Sequence, residues 1–132
     1  MLLVKTRLGM SPIEGMGVFA DEMIPKGTAT WKFMPDYDLL MSKEKIANAP
    51  EPVRTALLRY SYLDSKTGLY IYCIDNARFV NHSPQPNIQS IDLSPAPNSL
   101  DQAIRDINFG EKLSCDYRQL DAAFDAKFQR RK

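Results

Sequence analysis

Residues 78–87, Arg-Phe-Val-Asn-His-Ser-Pro-Gln-Pro-Asn, restrict the fold of this chain more than any other stretch. Pro84 and Pro86 fix their own φ and push Ser83 and Gln85 towards extended geometry, so no helix runs through the segment. What remains is a rigid turn, apolar at Phe79-Val80, that presents the polar groups of Asn81, His82 and Ser83. A second stretch, residues 110–117 (Gly-Glu-Lys-Leu-Ser-Cys-Asp-Tyr), is a short strand-like run that leaves Tyr117 at a strand end. The two segments read as neighbours that form one site.

The remaining chain reads as many short elements. Leu2 to Thr6 is predicted as a strand, with a turn at Gly9 and Ser11-Pro12. Gly15-Met16-Gly17 before Val18-Phe19-Ala20 satisfies G-x-G-x-x-A, but a dinucleotide fingerprint needs a helix directly after it. Pro25-Lys26-Gly27 breaks the chain first, so a Gly-rich hairpin is the better reading. Strands follow at Thr28–Phe33, Leu69–Asp75, Ile88–Leu93, Leu100–Ile107 and Lys112–Cys115. Ser42–Ala49 is a short helix. A second helix opens near Pro52, where Val53, Ala56, Leu57 and Tyr60 recur at helical spacing, with Val53 and Leu57 taken as core. Gln119–Lys132 reads as a helix with Leu120, Phe124 and Phe128 on one stripe. Short strands at close spacing, with little helix, describe a mainly β fold of small sheets in one domain.

Composition removes several classes of function. At 132 residues with 44% hydrophobic content the chain can bury one core. Its formal net charge is +1, which steers it to no nucleic acid. The basic end Arg130-Arg131-Lys132 reads as a solvated helix terminus. Two cysteines, Cys73 and Cys115, make neither a disulfide framework nor a zinc site. The opening residues do not form a signal peptide and no run has membrane-spanning length, so a cytoplasmic setting is expected, or a nuclear or host-delivered one if the source requires it.

Three motifs in order then resemble one family. Gly15-Met16-Gly17-Val18-Phe19-Ala20, Arg78-Phe79-Val80-Asn81-His82-Ser83 with Pro86-Asn87, and Gly110-Glu111-Lys112-Leu113 with Asp116-Tyr117 resemble the opening, central and closing motifs of SET-domain protein lysine methyltransferases. The resemblance implies a single domain over residues 1–132, with a helical insert at about 42–64 and a helical tail at about 119–132. It implies that the C-terminal segment threads through an earlier loop as a pseudoknot, bringing Asn81-His82 and Tyr117 together. It implies methyl transfer from S-adenosylmethionine to the ε-amine of a lysine in a protein or peptide, histone-like or other, without a metal. Membrane or nucleic-acid partners are not implied, and dimerisation is left open.

The site roles follow from the same resemblance. Tyr117 is the catalytic residue, orienting the reacting groups. Met16, Gly17, Asn81, His82 and Tyr117 hold the cofactor, with the backbone at His82 reading the adenine. Tyr60, Tyr62, Cys115 and Tyr117 line the lysine channel. Arg78, Phe79, Glu111 and Asp116 are scaffold, with Arg78 and Glu111 as ion-pair candidates. A free lysine has a pKa near ~10.4, so the channel must favour its neutral form and give its proton an exit. Three departures stand out. The family's Tyr-x-Gly element is missing where Phe33 stands. Pro84 replaces a cysteine and the cysteine-rich zinc tail is absent, so Phe124 or Phe128 is expected to cap the cofactor instead. Cys115 replaces an aromatic residue, which leaves room for more than one methylation. The rival readings are a non-catalytic SET-like binding module and a cysteine hydrolase using Cys115 or Cys73 with His82, which would need an activated thiolate.

Overall fold

The computed structural model of the chain describes residues 1–12, 15–121 and 123. Three small sheets carry it, so the fold is mainly β as expected. A hairpin pairs β1 (Thr6–Met10) with β2 (Met16–Ala20) antiparallel, Gly9 opposite Gly17. A five-stranded sheet runs in the order β3 (Ala29–Lys32), β9 (Ser99–Ala103), β8 (Ile88–Asp92), β10 (Ser114–Cys115), β7 (Asn81–His82). A three-stranded sheet places β6 (Tyr70–Tyr72) between β4 (Leu39–Met41) and β5 (Ser61–Leu63).

The five-stranded sheet creates the site. β7 and β8 are consecutive in sequence, yet β10 lies between them and runs parallel to both. This is the expected threading at strand level, an exception to the usual rule that connections are not crossed. Asn87 fastens it. The side chain is 1% exposed, its Nδ2 donates to the Lys112 carbonyl at 2.8 Å, and its Oδ1 accepts from the Ser114 N–H at 2.8 Å. The hairpin joins the same seam, because the Leu113 N–H donates to the Val18 carbonyl and the Ala20 N–H to that of Glu111.

Helix α1 (Lys43–Ala47) starts where Ser42 accepts from the Lys45 N–H, and it buries Ile46. Helix α2 (Glu51–Tyr60) carries Pro52 in its first turn, where the missing N–H costs nothing. Its apolar stripe is not core. Val53 is 48% exposed and Ala56 is also exposed, while Leu57 and Tyr60 are half-buried. Helical spacing identifies a face, but only tertiary contact covers it, and here little packs on that face.

Other boundaries move for local reasons. The first strand is β1, not Leu2–Thr6: Leu2 instead makes an isolated bridge to Trp31, and its N–H donates to Asp75 at 2.7 Å. Gly9 and Gly17 lie inside the hairpin strands rather than at a turn. β6 stops at Tyr72, short of the expected Asp75, which instead caps a 3-10 turn over Asn76–Phe79. Helix α3 (Tyr117–Leu120) starts two residues before the expected Gln119 because Asp116 caps it. It stops at Leu120, where buried Asp121 accepts from the Leu63 N–H at 2.9 Å and turns the chain extended. Phe124 and Phe128 lie outside the described residues, so the expected cap on the cofactor does too.

Two apolar clusters make the core. Val18, Ala20, Ile24, Ile88, Ala103, Ile107 and Leu113 form one; Trp31, Phe33, Ile71 and Cys73 form the other. Phe33, at the position of the missing Tyr-x-Gly element, is therefore buried packing.

Candidate active site

The threaded segment brings the two polar stretches into register. Ser114 lies opposite Asn81 and Cys115 opposite His82, and the Ser83 N–H donates to the Cys115 carbonyl at 3.0 Å. Beyond the end of β10, the Tyr117 N–H donates to His82 Nδ1 at 3.0 Å, and the two rings lie 5.4 Å apart between centroids. That acceptor role requires Nδ1 without a proton. The Tyr117 hydroxyl donates to the Val80 carbonyl, which fixes the direction of the phenol. Tyr117, Asn81 and His82 are thus adjacent.

On one side of this junction lies β2. Asn81 Nδ2 donates to the Met16 carbonyl at 3.3 Å, whereas Asn81 Oδ1 is buried with no hydrogen-bond partner among the described residues. Gly17 abuts the same amide: a Cβ there would sit 2.9 Å from Asn81 Oδ1 and 3.2 Å from Lys112 Cδ. A side chain at position 17 would therefore force the Asn81 amide to shift. An unpaired buried acceptor beside a strip of bare backbone suits a ligand that brings its own N–H donors.

On the other side lies a cavity of about 100 Å³, at the seam between the two core clusters. One water needs only ~10–15 Å³ by this measure, so a slender side chain has room. Tyr60, Tyr62, Cys115 and Tyr117 all line it. Met16, Gly17, Asn81 and His82 do not, and only Tyr117 belongs to both groups. Tyr60 is held edge-on to Phe79, with the guanidinium groups of Arg59 at 5.5 Å and Arg78 at 5.9 Å from its ring. Arg78 also stacks on Phe79 at 4.8 Å. Glu111 pairs instead with Arg105 at 2.7 Å.

Burial shifts the ionisable groups of this lining. Burial pushes the Tyr62 hydroxyl and the Cys73 and Cys115 thiols well above their ordinary values. Both cysteines are free and buried. A thiol held protonated is the opposite of what a cysteine hydrolase needs, and His82 Nδ1 is occupied by the Tyr117 N–H. Asp116, by contrast, is held below the usual carboxylate range by its hydrogen bonds from Arg118. Among the described residues, no group of three or more His, Cys, Asp or Glu side chains is placed to hold a metal ion, and no helix is long and apolar enough to cross a membrane.

Sequence reasoning did not single out Trp31 or Asp101, which also line the cavity. Asp101 faces Trp31 on β3 and Ser90 on β8. Burial raises its carboxyl pKa to about 6, with a hydrogen bond from Ser90 opposing the rise. Alternation along β9 held a signal: Ser99, Asp101 and Ala103 share a face, and both neighbours are buried.

The SET domain family profile matches residues 15–118. Three solved structures share the fold. The Neurospora SET domain protein DIM-5, a histone lysine methyltransferase, is 20% identical over 88% of this chain and 53% of that one, with a TM-score of 0.63. Chaetomium thermophilum Polycomb Repressive Complex 2 is matched at 22% identity over 96% of this chain and 17% of that one, with a TM-score of 0.70. A Plasmodium falciparum protein, provisionally assigned as a histone methyltransferase, is 21% identical over 88% of this chain and 95% of that one, with a TM-score of 0.63. This chain thus spans about half of the Neurospora chain and a small part of the Chaetomium one. No curated protein matches the sequence.

Proposed function

Starting from the chain's membership of the SET-domain family, we propose that it transfers a methyl group from S-adenosylmethionine to the ε-amine of a lysine in a protein or peptide. The observation that carries this reading is the position of Tyr117: the residue lines the cavity, while its backbone and ring contact His82 beside Asn81. One residue therefore borders both candidate binding regions.

When bound, S-adenosylmethionine supplies the methyl group on a positively charged sulfur. The residues present fit it. Gly17 leaves backbone open on β2, and Asn81 Oδ1 offers an unpaired acceptor for the amino group of its methionine end. Met16 and the backbone of His82 complete that wall. On the amine side, Tyr60 and Tyr62 flank the lysine chain and Cys115 leaves space beside the nitrogen. Transfer would break the sulfur–methyl bond as the nitrogen–methyl bond forms, on a nitrogen that has already given one proton to solvent. Tyr117 is a phenol already donating to Val80, so its role is to orient the two reactants rather than to take that proton. Holding them in line in a dry passage is the main source of rate.

The test is incubation with tritiated S-adenosylmethionine and lysates of candidate hosts. We expect labelled protein with the native enzyme and a drop of ~10²-fold or more with Tyr117→Phe, the scale of losing one preorganised group at the reacting centre. Cofactor binding without any label transfer would leave a binding module instead.

A further inference from the structure

We propose that Arg59 and Arg78 recognise a carboxylate beside the target lysine, so that the substrate is a lysine in an acidic stretch of protein rather than in a basic, histone-like tail. The inference rests on the methyl-transfer reading for the lysine, and it names the substrate class that this cavity takes.

Both arginines line the cavity, Arg59 exposed and Arg78 half-buried, so they stand where it meets the surface. They converge on one ring, with their guanidinium carbons 5.5 Å and 5.9 Å from the centre of Tyr60. Neither makes an ion pair among the described residues. Glu111, the other ion-pair candidate in the sequence, is taken by Arg105. Asp75, three residues before Arg78, accepts from the N–H groups of Leu2 and Ala77. Asp121, a carboxylate in the same lining, accepts from those of Leu63 and Ala123. Arg54, earlier on α2, shows the contrast: it donates to the Ala47 and Ala49 carbonyls and so ties the two helices together.

Two like charges drawn to one ring repel each other, and each guanidinium carries a planar fork of N–H donors that matches a carboxylate. A carboxylate beside Tyr60 relieves the repulsion and accepts from both forks. The same charges constrain how the lysine enters. A nearby cation disfavours a protonated amine, which is the direction the chemistry needs. The lysine's own charge therefore does not draw it in. The attraction comes from the residues flanking it, and among charged side chains only Asp and Glu supply it. A flanking arginine or lysine would meet two like charges.

The lysine probes are acetylated, amidated peptides with one central lysine, differing only in its neighbours: glutamate, alanine or arginine. Calorimetry reads their binding to the native chain. We expect the glutamate probe to bind at least threefold tighter than the alanine probe and at least tenfold tighter than the arginine probe, the scale of a few partly exposed ion pairs. At ~1 M salt both ratios should shrink towards one. Replacing both arginines, Arg59→Gln with Arg78→Gln, should abolish the preference and keep the alanine probe's affinity. Arg78 also stacks on Phe79, so Arg59→Glu, at an exposed position, guards against a double variant that does not fold. It should cut the glutamate-over-arginine ratio at least threefold. No binding of any probe, equal binding of all three, a glutamate preference unmoved by salt, or one that survives Arg59→Glu would each overturn the proposal. So would an alanine probe with a free terminal carboxylate that matches the glutamate probe, which would assign the site to a chain end. Transfer of a tritiated methyl group to the same probes tests the methyl-transfer reading separately. A glutamate preference in binding without transfer removes that reading and keeps the acidic-peptide site, whereas transfer without preference does the reverse.

Discussion

Gly17 and Asn81 meet edge to edge across two strands, and backbone atoms supply much of what that region offers a ligand. Trp31, Tyr62 and Asp101 reach the cavity from three different strands, and there the side chains supply nearly everything. The difference teaches where each region is vulnerable. A backbone surface is damaged by adding atoms, whereas a side-chain cavity is damaged or retuned by exchanging them. Tyr117 stands at the border, and Asn87 supports both regions by holding the threaded segment in place.

The largest effect should come from the shared support. Asn87→Ala removes bonds to the Lys112 carbonyl, the Glu111 carboxylate and the Ser114 N–H, the last of them buried. We expect ~3 kcal/mol of lost stability in chemical denaturation, together with loss of both cofactor and lysine-probe binding. Loss of one kind of binding alone would mean that the two regions do not share this support.

Gly17→Ala should separate the regions. Its Cβ pushes directly on the Asn81 amide, so affinity for S-adenosylhomocysteine in calorimetry should fall about tenfold, ~1.4 kcal/mol, while lysine-probe binding holds. Equal losses at both would erase the distinction.

Asp101→Asn should report on the cavity through pH. The folded carboxyl has its pKa raised from 3.8 to about 6, so the folded state holds the proton more tightly than the unfolded one. The ionised group therefore opposes folding above pH 6, and that penalty fades as pH falls through 6 towards 4. At full strength it would be ~3 kcal/mol; contact with water through the cavity brings the expected gain nearer ~1 kcal/mol. Thermal melts should show the Asn variant more stable than the native protein at pH 8, with the gap closed at pH 4. A gap independent of pH would assign it to packing.

The smallest effect concerns product. Cys115 lines the cavity as a small side chain, and we expect di- and trimethyl-lysine in mass spectra of the native product. Cys115→Tyr should shift that distribution towards monomethyl-lysine with little change in cofactor affinity.

How much of this was legible in the sequence differs between the regions for the same reason. Asn81, His82 and Tyr117 sit in contiguous stretches that could be singled out as motifs, while the threading that brings them together was implied by the family resemblance and not by local features. Asp101 lies in a strand of mixed faces, and it becomes an interior carboxylate only through its register with Trp31 and Ser90. Val53 failed in the opposite direction, because a helical stripe says which residues share a face but not whether anything packs on it.

The sequence by itself determined a mainly β chain of short strands and a proline-stiffened turn, because these follow from backbone stiffness and side-chain alternation over a few residues. The tertiary structure alone decided that β10 passes between β7 and β8 and that Trp31, Tyr62 and Asp101 share a cavity. Both depend on register between segments dozens of residues apart, where a shift of one position would turn Asp101 together with Ser99 and Ala103 to the other face of their sheet.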